Sequence, residues 1–143
     1  MEIGCDLVVV NELDPILARD RLLQLVFTPE ELALAAGVTG SRRREFLAGR
    51  FCAKEAVAKL LGTGFLRGVW WRDIEVGRSR CGRPHIVLHR GACLAARRRA
   101  IGPISVTVTH KSCLVIAVAI APRRGSARRR GRVRVFERSE AIA

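Results

Sequence analysis

The stretch Phe46-Leu47-Ala48-Gly49-Arg50-Phe51-Cys52-Ala53-Lys54-Glu55-Ala56-Val57-Ala58-Lys59 decides how this chain is read. Across residues 41–61 the apolar positions Phe46, Leu47, Ala53, Val57, Leu60 and Leu61 recur at helical spacing, and Gly62-Thr63-Gly64 halts the pattern. A long helix is therefore predicted, and the other elements must pack around it. Glu55 and Lys59 lie one helical turn apart and share a face, whereas Lys54 points elsewhere. Taken alone, the pair reads as a surface ion pair of little energetic weight.

A strand on the N-terminal side changes that reading. Residues 3–10 are short, largely β-branched and apolar, interrupted only by Asp6. A carboxylate in such a strand is costly without a partner, so Asp6 needs a cation. If it faces the helix side that carries Glu55, two hard oxygen ligands converge beside an ammonium, the minimum for Mg²⁺ and a phosphate-bearing substrate. Asp14-Pro15 then reads as an N-cap with Pro at the first helical position, opening a helix with Ile16, Leu22, Leu23 and Val26 on its apolar side. Thr28-Pro29-Glu30-Glu31 has capping-box spacing and starts a short helix that Gly37 ends.

Beyond the long helix, strands are predicted over 70–76 and 85–89 around the turn Gly82-Arg83-Pro84, and a basic helix over 92–100. Strands over 104–109 and 113–121 follow, separated by a turn at His110-Lys111-Ser112. The order β-α-α-α-β-β-α-β-β implies an α+β fold with a largely antiparallel sheet packed against the long helix.

With 143 residues, 49% of them apolar, the chain has length for one domain and a core of ordinary size, which excludes global disorder. We place that domain at residues 1–122 and treat 123–143 as an Arg-rich tail without apolar periodicity, disordered apart from a short strand at 133–136. The formal charge is +13, and with Lys only at 54, 59 and 111 the excess is nearly all Arg. The tail holds eight Arg and two Glu, a net of +6, which leaves +7 for the body. Such charge attracts phosphates, acidic proteins or anionic membranes without choosing among them. The five cysteines form no CxxC pair and mostly have apolar neighbours, so they read as reduced, small core residues of a cytoplasmic protein. The start Met1-Glu2-Ile3-Gly4 is not a secretory leader, and the longest apolar run, 113–121, is about half the ~20 residues a bilayer demands.

The lesser motifs are ambiguous on their own. Gly62-Thr63-Gly64 reads either as a set of backbone N–H groups offered to a phosphate or as a helix C-cap, and it lacks the Lys-Ser/Thr of a P-loop. His110, at a strand end beside Lys111, is a phosphate contact or a solvated side chain. His85 and His89 share a strand face but have no companion ligands at zinc spacing.

Together these positions resemble the holo-acyl-carrier-protein synthase family, the small 4'-phosphopantetheinyl transferases, from Glu2 to about Ala121. The family opens on Ile-Gly-x-Asp and aliphatics, as Ile3-Gly4-Cys5-Asp6-Leu7-Val8 does, and has a Phe-Thr-x-x-Glu segment, here Phe27-Thr28-Pro29-Glu30-Glu31. The string from Phe46 to Lys59, continuing into Gly62-Thr63-Gly64, is its most specific signature. Trp71-Arg72-Asp73-Ile74-Glu75-Val76, Gly82-Arg83-Pro84 and Thr107-Val108-Thr109-His110 follow in the family's order.

The resemblance implies transfer of the 4'-phosphopantetheine arm of coenzyme A to a serine of an apo acyl carrier protein, with release of adenosine 3',5'-bisphosphate. It implies Mg²⁺ on Asp6 and Glu55, Lys59 at the pyrophosphate, and Arg50, Gly62, Thr63, Gly64, Arg83, Pro84, Thr109 and His110 around the coenzyme. Glu55, directly or through a water on the metal, is the candidate base. It further implies a homotrimer with the coenzyme between protomers, so that Thr109 and His110 reach the nucleotide phosphates from the neighbouring chain. Thr107 and Thr109 stand for the usual serines and Cys52 for an alanine. Glu12 stands where the family often has a basic residue that meets the carrier, which implies either docking through Arg19 and Arg21 or an altered specificity. A nucleic-acid-binding module, suggested by the charge, is disfavoured by the lack of Tyr and of any groove-reading motif. The intact Asp6, Glu55 and Lys59 argue against a catalytically degenerate subunit.

Overall fold

The long helix is present as α4 (Gly40–Leu60), within one residue of expectation at each end. A computed structural model describes residues 1–65, 67–123 and 125, so the expected strand at 133–136 and nearly all of the tail lie outside the described residues. Strand β1 (Glu2–Val9) runs into a 3-10 turn at Val10–Leu13, then α1 (Asp14–Leu17), α2 (Asp20–Val26) and α3 (Pro29–Ala36) precede α4. After it come a 3-10 turn at Trp71–Asp73, β2 (Ile74–Arg78), β3 (Pro84–Leu88), α5 (Arg90–Arg98), β4 (Ser105–Lys111) and β5 (Leu114–Ala121).

The strands form two antiparallel sheets, β1-β5-β4 and β2-β3, and the first lies on α4. Its inner face is made of small residues: Ala117 opposes Asp6 and Ala119 opposes Gly4. Facing them, α4 offers Ala48, Cys52 and Ala56, all fully buried. Gly4 carries this contact furthest, because a Cβ there would lie closer than 3.0 Å to the carbonyl oxygen of Ala56 and the amide nitrogen of Leu60. The outer face of the same sheet is apolar yet open, with Ile3 68%, Leu7 54%, Leu114 40%, Ile116 36% and Ile120 42% exposed.

Five expectations are corrected. The helix expected from Asp14 is two helices, broken where Arg19 takes an extended backbone (φ −131°, ψ 109°). Asp14 caps nothing, because the preceding turn already holds helical geometry, and its carboxylate pairs with Arg44 instead. Trp71–Asp73 is a turn, closed when the Asp73 carboxylate accepts the Trp70 N–H at 3.1 Å, so strand β2 starts only at Ile74. The last hairpin turns at Ser112 and Cys113, with Ser112 left-handed (φ 55°), which leaves His110 and Lys111 inside β4. Of the five free cysteines only Cys52 is buried, while Cys5, Cys81 and Cys113 are exposed. The capping box at Thr28 forms as expected: Thr28 Oγ1 accepts the Glu31 N–H at 3.3 Å, and Glu31 Oε2 accepts the Thr28 N–H at 2.8 Å.

Candidate active site

Alternation in β1 turns Gly4, Asp6 and Val8 toward α4, and the close backbone contact at Gly4 sets how near Asp6 comes to that helix. The partner of Asp6 is Lys59, whose Nζ donates to Asp6 Oδ1 at 2.7 Å. This replaces the surface pair with Glu55 that helical spacing alone suggested. Lys59 Nζ is more than half exposed, and its bond to Asp6 raises its pKa. Glu55 is half-buried on the same side of α4, and its carboxyl pKa is also raised. Burial is the largest cause and the nearby Asp6 carboxylate the second; Lys59 and the Trp71 indole oppose the rise. The Trp71 N–H is buried on the side of Glu55, with no partner within hydrogen-bond geometry among the described residues, while its ring stacks on Phe65 at 4.6 Å between centroids. Cys52 lies beneath the cluster, its thiol donating to Asp6 O at 3.3 Å; burial and Asp6 push its pKa up to about 12.

The donor chemistry here fits a hard divalent cation. Two carboxylates close enough to repel carry excess negative charge, and Asp6 keeps one oxygen free of Lys59. Among the described residues no cluster of three His, Cys, Asp or Glu side chains surrounds a metal position. Mg²⁺ suits such a sparse set, since it is commonly held by one or two carboxylates, waters and substrate phosphates.

A second group of expected residues lines a separate cleft of about 540 Å³ on another side of α4. Arg50, Pro84 and His110 face it, as do Arg42, Glu45 and Arg78. Arg50 lies over the Phe46 ring at 3.3 Å, and burial lowers its pKa to about 10. His110 Nε2 is 4.0 Å from Glu45, and Glu45 precedes Glu55 by ten residues, roughly 15 Å along the helix. One chain therefore keeps the acidic cluster and the cationic cleft apart. Thr109 does not join His110: it opposes Ile116 on the open outer face, while His110 opposes Val115 on the helix side. Arg83 is exposed at the β2–β3 turn, outside the lining of the cleft. The Gly62, Thr63 and Gly64 N–H groups donate to the carbonyls of Lys59 and Ala58 at 2.9–3.3 Å and so close the end of α4. His85 packs over Gly77, and His89 Nε2 lies 3.4 Å from Glu75.

Sequence reading missed three residues. Arg42 could have been found, since 42, 45, 46 and 49 fall on one helical face and Gly49 leaves that face open. Arg78, at the end of β2, has no such signal. Lys54 does not point to solvent: it is fully buried, its Nζ 2.8 Å from Glu31 and donating to the carbonyls of Ile74 (2.6 Å) and Trp71 (3.0 Å). Glu31 also accepts the Val76 N–H at 2.8 Å, so the pair ties α3, α4 and β2 together.

The chain matches the model of the 4'-phosphopantetheinyl transferase superfamily over residues 2–109. It is 40% identical over 121 residues to the holo-(acyl-carrier-protein) synthase of Moorella thermoacetica, covering 84% of this chain and 92% of that one. The holo-(acyl-carrier-protein) synthase of Neisseria meningitidis superposes with a TM-score of 0.76 at 27% identity, over 85% of this chain and 98% of its own. The Bacillus anthracis synthase, solved in complex with CoA (3',5'-ADP), superposes with a TM-score of 0.72 at 29% identity, over 86% and 96% of the two chains.

Proposed function

This chain belongs to the holo-(acyl-carrier-protein) synthase family and is a 4'-phosphopantetheinyl transferase, and from that premise we propose its reaction in detail: coenzyme A gives its 4'-phosphopantetheine arm to a serine of an apo acyl carrier protein. The serine oxygen forms the new bond to the phosphorus on the pantetheine side. The pyrophosphate P–O bond breaks, and adenosine 3',5'-bisphosphate leaves with the bonding pair.

The observation that carries this reading is the convergence of a strand acid, a helix acid and an ammonium at Asp6, Glu55 and Lys59. Mg²⁺, held by Asp6 and Glu55 and by the substrate phosphates, would supply positive charge to the pyrophosphate oxygens. Glu55, half-buried beside Asp6 on α4, takes the serine proton. Lys59, more than half exposed but anchored on Asp6, aims its ammonium at the charge that builds on the leaving group. Arg42, Arg50, Arg78 and His110 give the cleft the basic lining a nucleotide phosphate calls for, with Pro84 on its wall.

The transferase domain comprises residues 1–122, and it works in the cytoplasm as a homotrimer with sites between protomers. Two observations support the shared site. The open outer face of the β1-β5-β4 sheet is apolar and calls for cover, and one chain holds the acidic cluster and the His110 cleft on different sides of α4. Among the described residues no helix is long and apolar enough to cross a membrane.

The decisive experiment incubates the protein with coenzyme A, Mg²⁺ and an apo carrier protein and follows the carrier by mass spectrometry. The phosphopantetheine increment is expected, and Asp6→Ala and Glu55→Ala proteins that still fold should fail to produce it. Near-normal turnover by either variant refutes the metal assignment, and no increment with fatty-acid or polyketide carriers refutes the reaction.

A further inference from the structure

The loop that ends α4 and the helix α5 enclose a second cleft, of about 400 Å³, whose lining shares no residue with the acidic cluster or the His110 cleft. Thr63 and Arg67 line one wall, and Leu94, Arg98 and Arg99 the other. The two walls are fixed against each other. A Cβ at Gly91 would fall within 3.0 Å of the Gly68 carbonyl oxygen, so the first turn of α5 rests directly on the loop. Gly62 has a left-handed backbone (φ 67°), and the Arg99 guanidinium occupies the place a side chain would take there.

The charges in this cleft are unbalanced. No acid lines it. Arg99 is anchored, donating to Leu60 O at 3.4 Å and pairing with Glu2 at 3.1 Å, which uses part of its five-donor fork. Arg67 and Arg98 are exposed and have no ion pair among the described residues. The Thr63 hydroxyl is buried and has no hydrogen-bond partner among them. Arg98 sits in the last turn of α5, where a cation complements the helix dipole. That accounts for one arginine and leaves Arg67, facing it from the loop, unexplained.

We propose that this cleft is a binding site for a phosphate group, held between Arg67 and Arg98 with Arg99 and the Thr63 hydroxyl as further donors. Convergent guanidinium groups around a rigid hollow repel one another until an anion enters, and planar forks match phosphate oxygens two at a time. The phosphate belongs either to coenzyme A, reaching past the Gly62–Gly64 loop, or to a separate small phosphorylated ligand. The chemistry is common to both, and the inference does not depend on the transfer reaction.

The test uses the full chain, amide-labelled with ¹⁵N, titrated with inorganic phosphate at constant ionic strength against chloride. Saturable shifts are expected at Thr63, Gly68, Gly91 and Leu94, with at least tenfold weaker binding in the double variant Arg67→Gln/Arg98→Gln, whose changes are confined to exposed side chains. A second titration, after saturation with coenzyme A, separates the sources. Phosphate shifts that persist assign the site to a separate ligand, whereas the same shifts produced by coenzyme A, with phosphate then excluded, assign it to the coenzyme. Shifts confined to the Arg42, Arg78 and His110 cleft, linear shifts equal to those of chloride, or unchanged affinity in the double variant would each overturn the proposal, whatever the outcome of the transfer assay.

Discussion

Replacing Lys54 by Met keeps most of the aliphatic stem and deletes the charge. Glu31 then remains fully buried with only the N–H groups of Thr28 and Val76 to satisfy it, and the carbonyls of Trp71 and Ile74 lose their donor. Removing one partner of a buried ion pair costs about 3–5 kcal/mol, a large share of the 5–15 kcal/mol that holds a typical domain together. With a urea m-value of about 1–3 kcal/mol/M, the unfolding midpoint should fall by at least ~1 M at fixed protein concentration. Fluorescence is a suitable probe, because the chain has only Trp70 and Trp71, and Trp71 is held at its carbonyl by Lys54 and at its ring by Phe65. Adding Glu31→Gln to Lys54→Met should recover part of the loss, since the orphaned charge is then gone. A loss under 1 kcal/mol for Lys54→Met alone, with an unchanged m-value, would refute the reasoning and show that water or another cation reaches Glu31.

Glu55→Gln should stabilise the protein while abolishing transfer. A carboxyl whose folded pKa is raised gives its full stabilisation below its ordinary pKa and loses it as pH rises through the raised value, so the melting temperature of the variant should exceed the wild type at pH 8 in chelator and converge with it near pH 4. A gap that does not change with pH contradicts this. Lys59→Met should cost about 1–3 kcal/mol in stability, because the Asp6 carboxylate, only 12% exposed, loses its partner, and it should lower turnover about 10²-fold; unchanged kinetics make it a structural ion pair only. Mixing inactive Asp6→Ala and His110→Ala proteins under subunit exchange should restore some activity, because some interfaces then pair two intact halves. No recovery despite proven exchange places both residues in one protomer's site or removes His110 from it.

What could be read from the residues alone followed the range of the forces involved. α4, the Thr28–Glu31 capping box and the strands β1, β4 and β5 are specified by neighbours a few positions apart, and they lie where local pattern puts them. Asp6 and Glu55 could be suspected of meeting, because a charge in an apolar strand demands compensation. Lys54 was left without a role, because helical spacing says only that it faces away from Glu55 and Lys59. Ala53, Ala56, Val57 and Ala58 around it mark a helix apolar on all sides, which is the signature of burial all round. His110 was misplaced by one turn position, since Lys111 and Ser112 look equally suited to a loop until the register with β5 is known. The cleft itself draws on α4, β2, β3 and β4, and no local window holds that information.

Gly4 joins the sheet to α4 by backbone alone, and this bears on ion choice. With no side chain between them, the separation of the β1 and α4 backbones beneath Asp6 and Glu55 is fixed by the main chain itself. Any residue larger than glycine would push β1 outward by more than ~1 Å before its Cβ reached ordinary contact with the Ala56 carbonyl oxygen. That step exceeds the whole difference between the ~2.0–2.1 Å at which oxygen ligands hold Mg²⁺ and the ~2.3–2.6 Å they adopt around Ca²⁺. In a cation site built on Asp6 and Glu55, a glycine two residues away from the nearer ligand keeps the two backbones that carry the carboxylates at their closest approach.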